Sequence, residues 1–115
     1  MSWVSILDSV NPGTGSEGGT IVIDEEHQHG ARITLEQGAG RVPYAITCGI
    51  YGSMVHTRFF GDRDTAFAAM DPMKRDLAAL LDQLPDKAGF EAWQESGAYG
   101  VYLEALSAFV DRYPT

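Results

Sequence analysis

The sequence predicts a single α+β domain over residues 1–115, an antiparallel meander of three or four strands at about 20–60 followed by two or three helices at about 64–84 and 98–113 packed on one sheet face. Two observations carry this. Apolar side chains recur every second residue up to about residue 60 and every third or fourth residue beyond it. All strand signals precede all helix signals, which excludes βαβ winding. The length of 115 residues suits one domain, and 44% hydrophobic content can fill its core.

Trp3, Val4, Ile6, Leu7 and Val10 form a short apolar opening, readable as a helical turn or an edge strand. Residues 11–19 read NPGTGSEGG, with five Gly or Pro in nine positions, and predict a loop. Thr20-Ile21-Val22-Ile23 is β-branched. Ala31, Ile33 and Leu35 alternate with Arg32, Thr34 and Glu36, so these two runs make a hairpin with DEEHQHG as its polar turn. Residues 37–43 predict a second loop. Tyr44, Ile46, Cys48 and Ile50 alternate with Ala45, Thr47 and Gly49, Tyr51-Gly52 turns the chain, and residues 54–60 form a fourth strand. One long strand over 43–60, kinked at its glycines, is the alternative.

Ala66, Phe67, Met70, Met73, Leu77, Leu80, Leu81 and Leu84 make an amphipathic stripe with Asp64 as N-cap. Pro72 predicts either a kink or a short helix followed by a longer one opening at Asp71-Pro72. Pro85 ends this stripe, Phe90 begins a helical turn, and Tyr99, Tyr102, Leu103, Leu106, Phe109, Val110 and Tyr113 form a second stripe that Pro114 stops.

Sixteen acidic and eight basic residues give a net charge of −8, and the basic residues are scattered. Nucleic-acid binders concentrate Lys and Arg on one face, so no nucleic-acid partner is expected. The first basic side chain is Arg32, and no basic, apolar leader precedes it. The longest uncharged stretch, 42–57, is too short to span a membrane and is broken by Pro43, Gly49 and Gly52. With the lone cysteine Cys48, these features predict a cytoplasmic protein with no membrane partner.

Gly13-Thr14-Gly15-Ser16-Glu17-Gly18 matches G-x-G-x-x-G. A strand follows it, whereas pyrophosphate binding needs a helix N-terminus there, and Glu17 would repel phosphate, so no dinucleotide and no other cofactor is expected. Asp24-Glu25-Glu26-His27-Gln28-His29 is the densest set of metal-ligand types. In an extended chain His27 and His29 share a side and could hold zinc or nickel; a solvated hairpin tip is the plainer reading.

Cys48 and His56 are the one Cys–His combination close in sequence. A two-residue turn at Tyr51-Gly52 sets Cys48 opposite Val55; a three-residue turn over residues 51–53 sets it opposite His56, where a thiolate–imidazolium pair could form. Against that, a cysteine among Tyr44, Ile46 and Ile50 reads as a small apolar core residue.

Val55, Thr57 and Phe59 share one strand face; Met54, His56, Arg58 and Phe60 share the other. Large apolar residues on both faces leave one of them for a partner, with Tyr51 and Phe59 as candidate contacts. The expectation is a small acidic protein-binding module, an inhibitor or immunity-type partner of a basic protein, rather than an enzyme. The alternative is a small-ligand or metal-binding protein or enzyme with its site near His27, His29, Cys48 and His56. A homodimer joined through edge strands or sheet faces is a third reading.

Overall fold

The computed structural model describes residues 2–115. Five strands, β1 (Trp3–Ser5), β2 (Thr20–His27), β3 (Ala31–Ala39), β4 (Val42–Ile50) and β5 (Met54–Phe60), form one antiparallel sheet in chain order. Helices α1 (Arg63–Leu81), α2 (Phe90–Gln94) and α3 (Gly97–Arg112) follow, with a 3-10 turn at Lys87–Gly89. The α+β meander with a helical cover is therefore present, with one strand more than expected.

The extra strand is the apolar opening: Trp3, Val4 and Ser5 pair with His27, Glu26 and Glu25. The polar run 24–27 is strand rather than turn, because each charge finds a partner on a neighbouring strand, turn or helix. Glu25 meets Lys74 of α1 at 2.8 Å, Asp24 holds Arg32 through two bonds of 2.9 and 2.6 Å, and Glu26 accepts from the Tyr51 hydroxyl at 2.6 Å. The expected loop over 37–43 is likewise mostly strand. Ala39 pairs with Val42, so only Gly40 and Arg41 lie between the strands. Pro43 is tolerated inside β4 because it sits near the hairpin end, where a missing N–H interrupts little of the ladder.

A bulge at Val22 shifts the β2–β3 register, so that Ile21 pairs with Glu36 and Ile23 with Leu35. The two isoleucines thereby serve opposite sheet faces. The β4–β5 turn takes the three-residue form: Ile50 pairs with Met54 and Cys48 with His56. Gly52 supplies its φ of +78°, which other residues adopt at a cost.

Helix α1 is capped by Asp62 rather than Asp64; the Asp62 carboxylate accepts from the Thr65 backbone N–H at 2.9 Å. It runs through Pro72 as one helix. Its Ala66, Met70, Met73, Leu77, Leu80 and Leu81 pack with Ile33, Leu35, Ile46, Cys48, Ile50 and Phe60 of the sheet. Tyr102, Leu106, Phe109 and Tyr113 complete the core from α3 and the residue that caps it. These recur at steps of four, three and four, so Leu103, one position round, stays 45% exposed despite its place in the apolar stripe. Among the described residues, no helix is long and apolar enough to cross a membrane.

Candidate functional site

Because side chains alternate along each strand, the register assigns every residue to a face. Ile33, Leu35, Ile46, Cys48, Ile50, His56 and Phe60 lie under the helices. The other face carries three cross-strand rows: Glu26, Arg32, Gly49 and Val55; then Asp24, Thr34, Thr47 and Thr57; then Ile21, Glu36, Ala45 and Phe59. Val55 is 80% exposed, Tyr51 at the adjoining turn 58% and Phe59 39%.

The middle row is a ladder of hydroxyls. Thr47 Oγ1 is 3.1 Å from Thr57 Oγ1, and Thr34 Oγ1 donates to the Thr47 carbonyl at 3.4 Å. The row continues off the sheet into the glycine loop, where Ser16 Oγ lies 2.9 Å from Thr47 Oγ1.

That loop lies across the third row and covers Glu36, which is fully buried. The Gly19 N–H donates to Glu36 Oε1 at 2.9 Å, and the Glu17 N–H donates to both carboxylate oxygens at 3.1 and 3.4 Å. Among the described residues no Lys or Arg pairs with Glu36; Arg32, the nearest in its strand, is held by Asp24. The loop passes so close that a Cβ on Gly15 would overlap the Glu36 carboxylate. The G-x-G-x-x-G spacing thus makes a backbone anion receptor after all, and its anion is the chain's own glutamate.

Between the loop and the β4–β5 turn lies a cleft of about 550 Å³. Its lining includes Ser16, Ile21, Arg32, Gly49, Tyr51 and Val55. The Asp24 carboxylate holds the Arg32 guanidinium in place and pushes its pKa up. The Tyr51 hydroxyl, bonded to Glu26, is likewise harder to ionise. Arg32 is paired with Asp24 and Glu26 is bonded to a neutral hydroxyl, so the surface offers shape, apolar area, hydroxyls and an uncompensated carboxylate.

The residues singled out from the sequence divide between the two faces. Tyr51 and Phe59 belong to the open one. His27 does not share an extended stretch with His29: it ends β2, while His29 lies in the turn, their ring centres 5.2 Å apart. His27 is buried edge-on to Trp3, and its Nδ1 accepts the His29 backbone N–H at 3.1 Å, so one of its two ring nitrogens is occupied. Burial, with His29 adding to it and Asp82 opposing, holds its pKa below the ordinary histidine value. Among the described residues no three His, Cys, Asp or Glu side chains are grouped so as to hold a metal.

Cys48 and His56 are opposite one another under the helices. His56 Nε2 is bonded to the Tyr113 carbonyl, which fixes the proton on that nitrogen. Burial pushes the Cys48 thiol up to about 12, so the thiolate needed for nucleophilic attack is scarce at neutral pH. His56 thereby anchors the end of α3. Arg58, donating to the Pro114 carbonyl at 3.2 Å, does the same.

Sequence reasoning missed Glu36, Ser16, Thr34 and Thr47. The alternation of β3 marked Glu36 as an ordinary outward residue. The one available signal was a loop rich in residues without Cβ immediately before a hairpin, which permits close backbone approach to something anionic. No protein-family profile, curated protein or solved structure matches the chain.

Proposed function

We propose that this protein is a small acidic binding module whose open sheet face docks a basic protein, in the manner of an inhibitor or immunity protein, in the cytoplasm. The observation that carries the reading is one-sided packing: the helices cover one face and leave Tyr51, Val55 and Phe59 exposed on the other. Tyrosine and phenylalanine are residue types that anchor interfaces. Acidic groups border this apolar centre, with Glu26 bonded to Tyr51 and Glu17 in the glycine loop. On a chain of net charge −8 this rim attracts a cationic partner and speeds encounter. A second copy would bring −8 against −8, so a different, basic chain is the better occupant. The unpaired, buried Cys48 suits a reducing compartment.

The test is capture from the source cell extract with the wild-type chain and with a Val55→Asp/Phe59→Asp double variant, followed by purification of what is captured. The expected result is a basic protein whose purified form binds the wild type at low salt, loses affinity as salt rises, and binds the double variant at least about tenfold more weakly. Equal binding of that purified protein to both chains refutes the reading.

A small-ligand reading is favoured by one observation, the cleft volume of about 550 Å³, which falls within the usual range for ligand sites. That cleft sets the alternative site apart from His27 and His56, while Cys48 remains among its lining residues.

A further inference from the structure

We propose that residues 13–19 are a strap over the docking face, latched by Glu36, and that the basic partner opens it by offering a lysine or arginine to the Glu36 carboxylate. This rests on the docking reading above and names the regulation of that face.

The strap separates two parts of one surface. On one side is the cleft over the Arg32–Gly49–Val55 row; on the other is Phe59, in the same row as Glu36. Ser16 crosses between them to reach Thr47 in the middle row. With the strap lifted, the three rows become one continuous face from Gly49 to Phe59.

The latch is poised rather than fixed. A fully buried carboxylate is costly unless paired, and Glu36 is served by two backbone N–H groups and no cation among the described residues. Opening exchanges those two bonds for water at the same oxygens, so the charge is never stranded. The strap itself contributes little apolar burial, being largely glycine and polar residues. Segments held by few apolar contacts open locally. A cation that meets Glu36 only in the open form shifts the population toward that form. A chain of excess negative charge selects partners able to supply one.

Native-state hydrogen exchange on the whole chain reads the opening directly. The Glu17 and Gly19 amides are expected to exchange at least about 100-fold faster than the Leu35 and Ile46 amides, with little dependence on low denaturant. Exchange at the same free energy and with the same denaturant slope as Leu35 and Ile46 overturns the strap. Two variants that keep the Glu36 charge follow. Gly15→Ala pushes a Cβ into the carboxylate, and Ser16→Ala removes the bridge to Thr47. Each is expected to speed exchange at Glu17 and Gly19 about tenfold or more, while near-ultraviolet dichroism of Trp3 and Trp93, both on the helix side, stays unchanged. No acceleration in either overturns the latch.

With the purified partner, Gly15→Ala tightens binding and Glu36→Gln weakens it, since only the second removes the acceptor charge. Tightening by both to the same degree overturns Glu36 as the cation's acceptor. The two readings fail separately. Local opening of the strap with no loss of binding in Val55→Asp/Phe59→Asp sinks the docking face alone. Loss of binding there with strap amides that exchange only on global unfolding sinks the strap alone.

Discussion

Raising the pH from 7.5 to 10 while following Cys48 gives a measurement whose size can be worked out beforehand. The thiol is 1% exposed, among Ile33, Ile46 and Leu77 in the core, and burial moves its pKa from 9.0 to about 12. At pH 8 an ordinary thiol of pKa near 9 is about 10% thiolate, whereas one near 12 is about 0.01%, a thousandfold suppression before access is considered. A disulfide reagent added to the folded chain should therefore react at least about 1000-fold more slowly than with the urea-unfolded chain. The same shift makes stability depend on pH. Above pH 9 the unfolded chain releases the proton and the folded chain keeps it, so the folded state binds more protons and stability falls as pH rises from 9 toward 12. At pH 10 the loss from this group is about 1.4 kcal/mol. Urea unfolding of the wild type and of Cys48→Ala at both pH values isolates it, since every other titration is shared. Stoichiometric labelling of the folded chain within seconds, or equal losses in both chains, would refute the account and reopen the nucleophile reading.

Two further outcomes are expected away from the open face. His27 is held below the ordinary histidine value chiefly by burial, so the unfolded chain binds more protons as pH falls through about 6.5; the fold should weaken there, and the His27 ring signal in NMR should titrate below the ordinary histidine value. Asp76 is bonded to the Tyr113 hydroxyl and, at 2.8 Å, to Arg112. Burial raises its pKa, but these two bonds outweigh it and leave the carboxyl below its usual value. Asp76→Ala should cost about 1–2 kcal/mol in urea unfolding at pH 7, with the gap to the wild type closing as pH falls below about 4 and the wild-type carboxylate is protonated. A gap that persists undiminished at pH 2 would show that Asp76 acts through packing alone.

The elements that were legible are those whose burial follows a period. The two-residue alternation of β3 and β4 and the three- and four-residue steps of α1 and α3 read directly as faces, because one side of each element is apolar. Where polar residues are paired across the sheet, the same rule misleads: Asp24, Glu25 and Glu26 look like a solvated turn until Arg32, Lys74 and Tyr51 are placed against them. The N-terminal strand has only three residues, too few for any period to show. The choice between two turn lengths at residues 51–53 depends on hydrogen bonding that composition does not encode. On the open face, Tyr51 and Phe59 were visible as surplus aromatic area, while Glu36 was not. Its burial is created by a loop seventeen to nineteen residues earlier in the chain, folded back over it.

The two sides of the sheet are closed by different physics. On the helix side, apolar packing does the closing, and the chain's end is fastened by His56 to the Tyr113 carbonyl, Arg58 to the Pro114 carbonyl, and Arg112 and Tyr113 to Asp76. Opening that side would expose the core, at a cost comparable to unfolding. On the other side the cover among the described residues is a glycine loop, held by backbone donors to one carboxylate, a hydroxyl contact and, at its base, the Ile21 N–H donating to the Gly13 carbonyl at 3.2 Å. Water can replace every one of those bonds, and only Ile21 beneath the loop is strongly apolar. A rearrangement that leaves the fold intact therefore has one direction available to it, and that direction uncovers a negative charge beside exposed aromatic and aliphatic side chains. Under the docking proposal, a cationic, apolar-anchored partner is the class of molecule that gains from both.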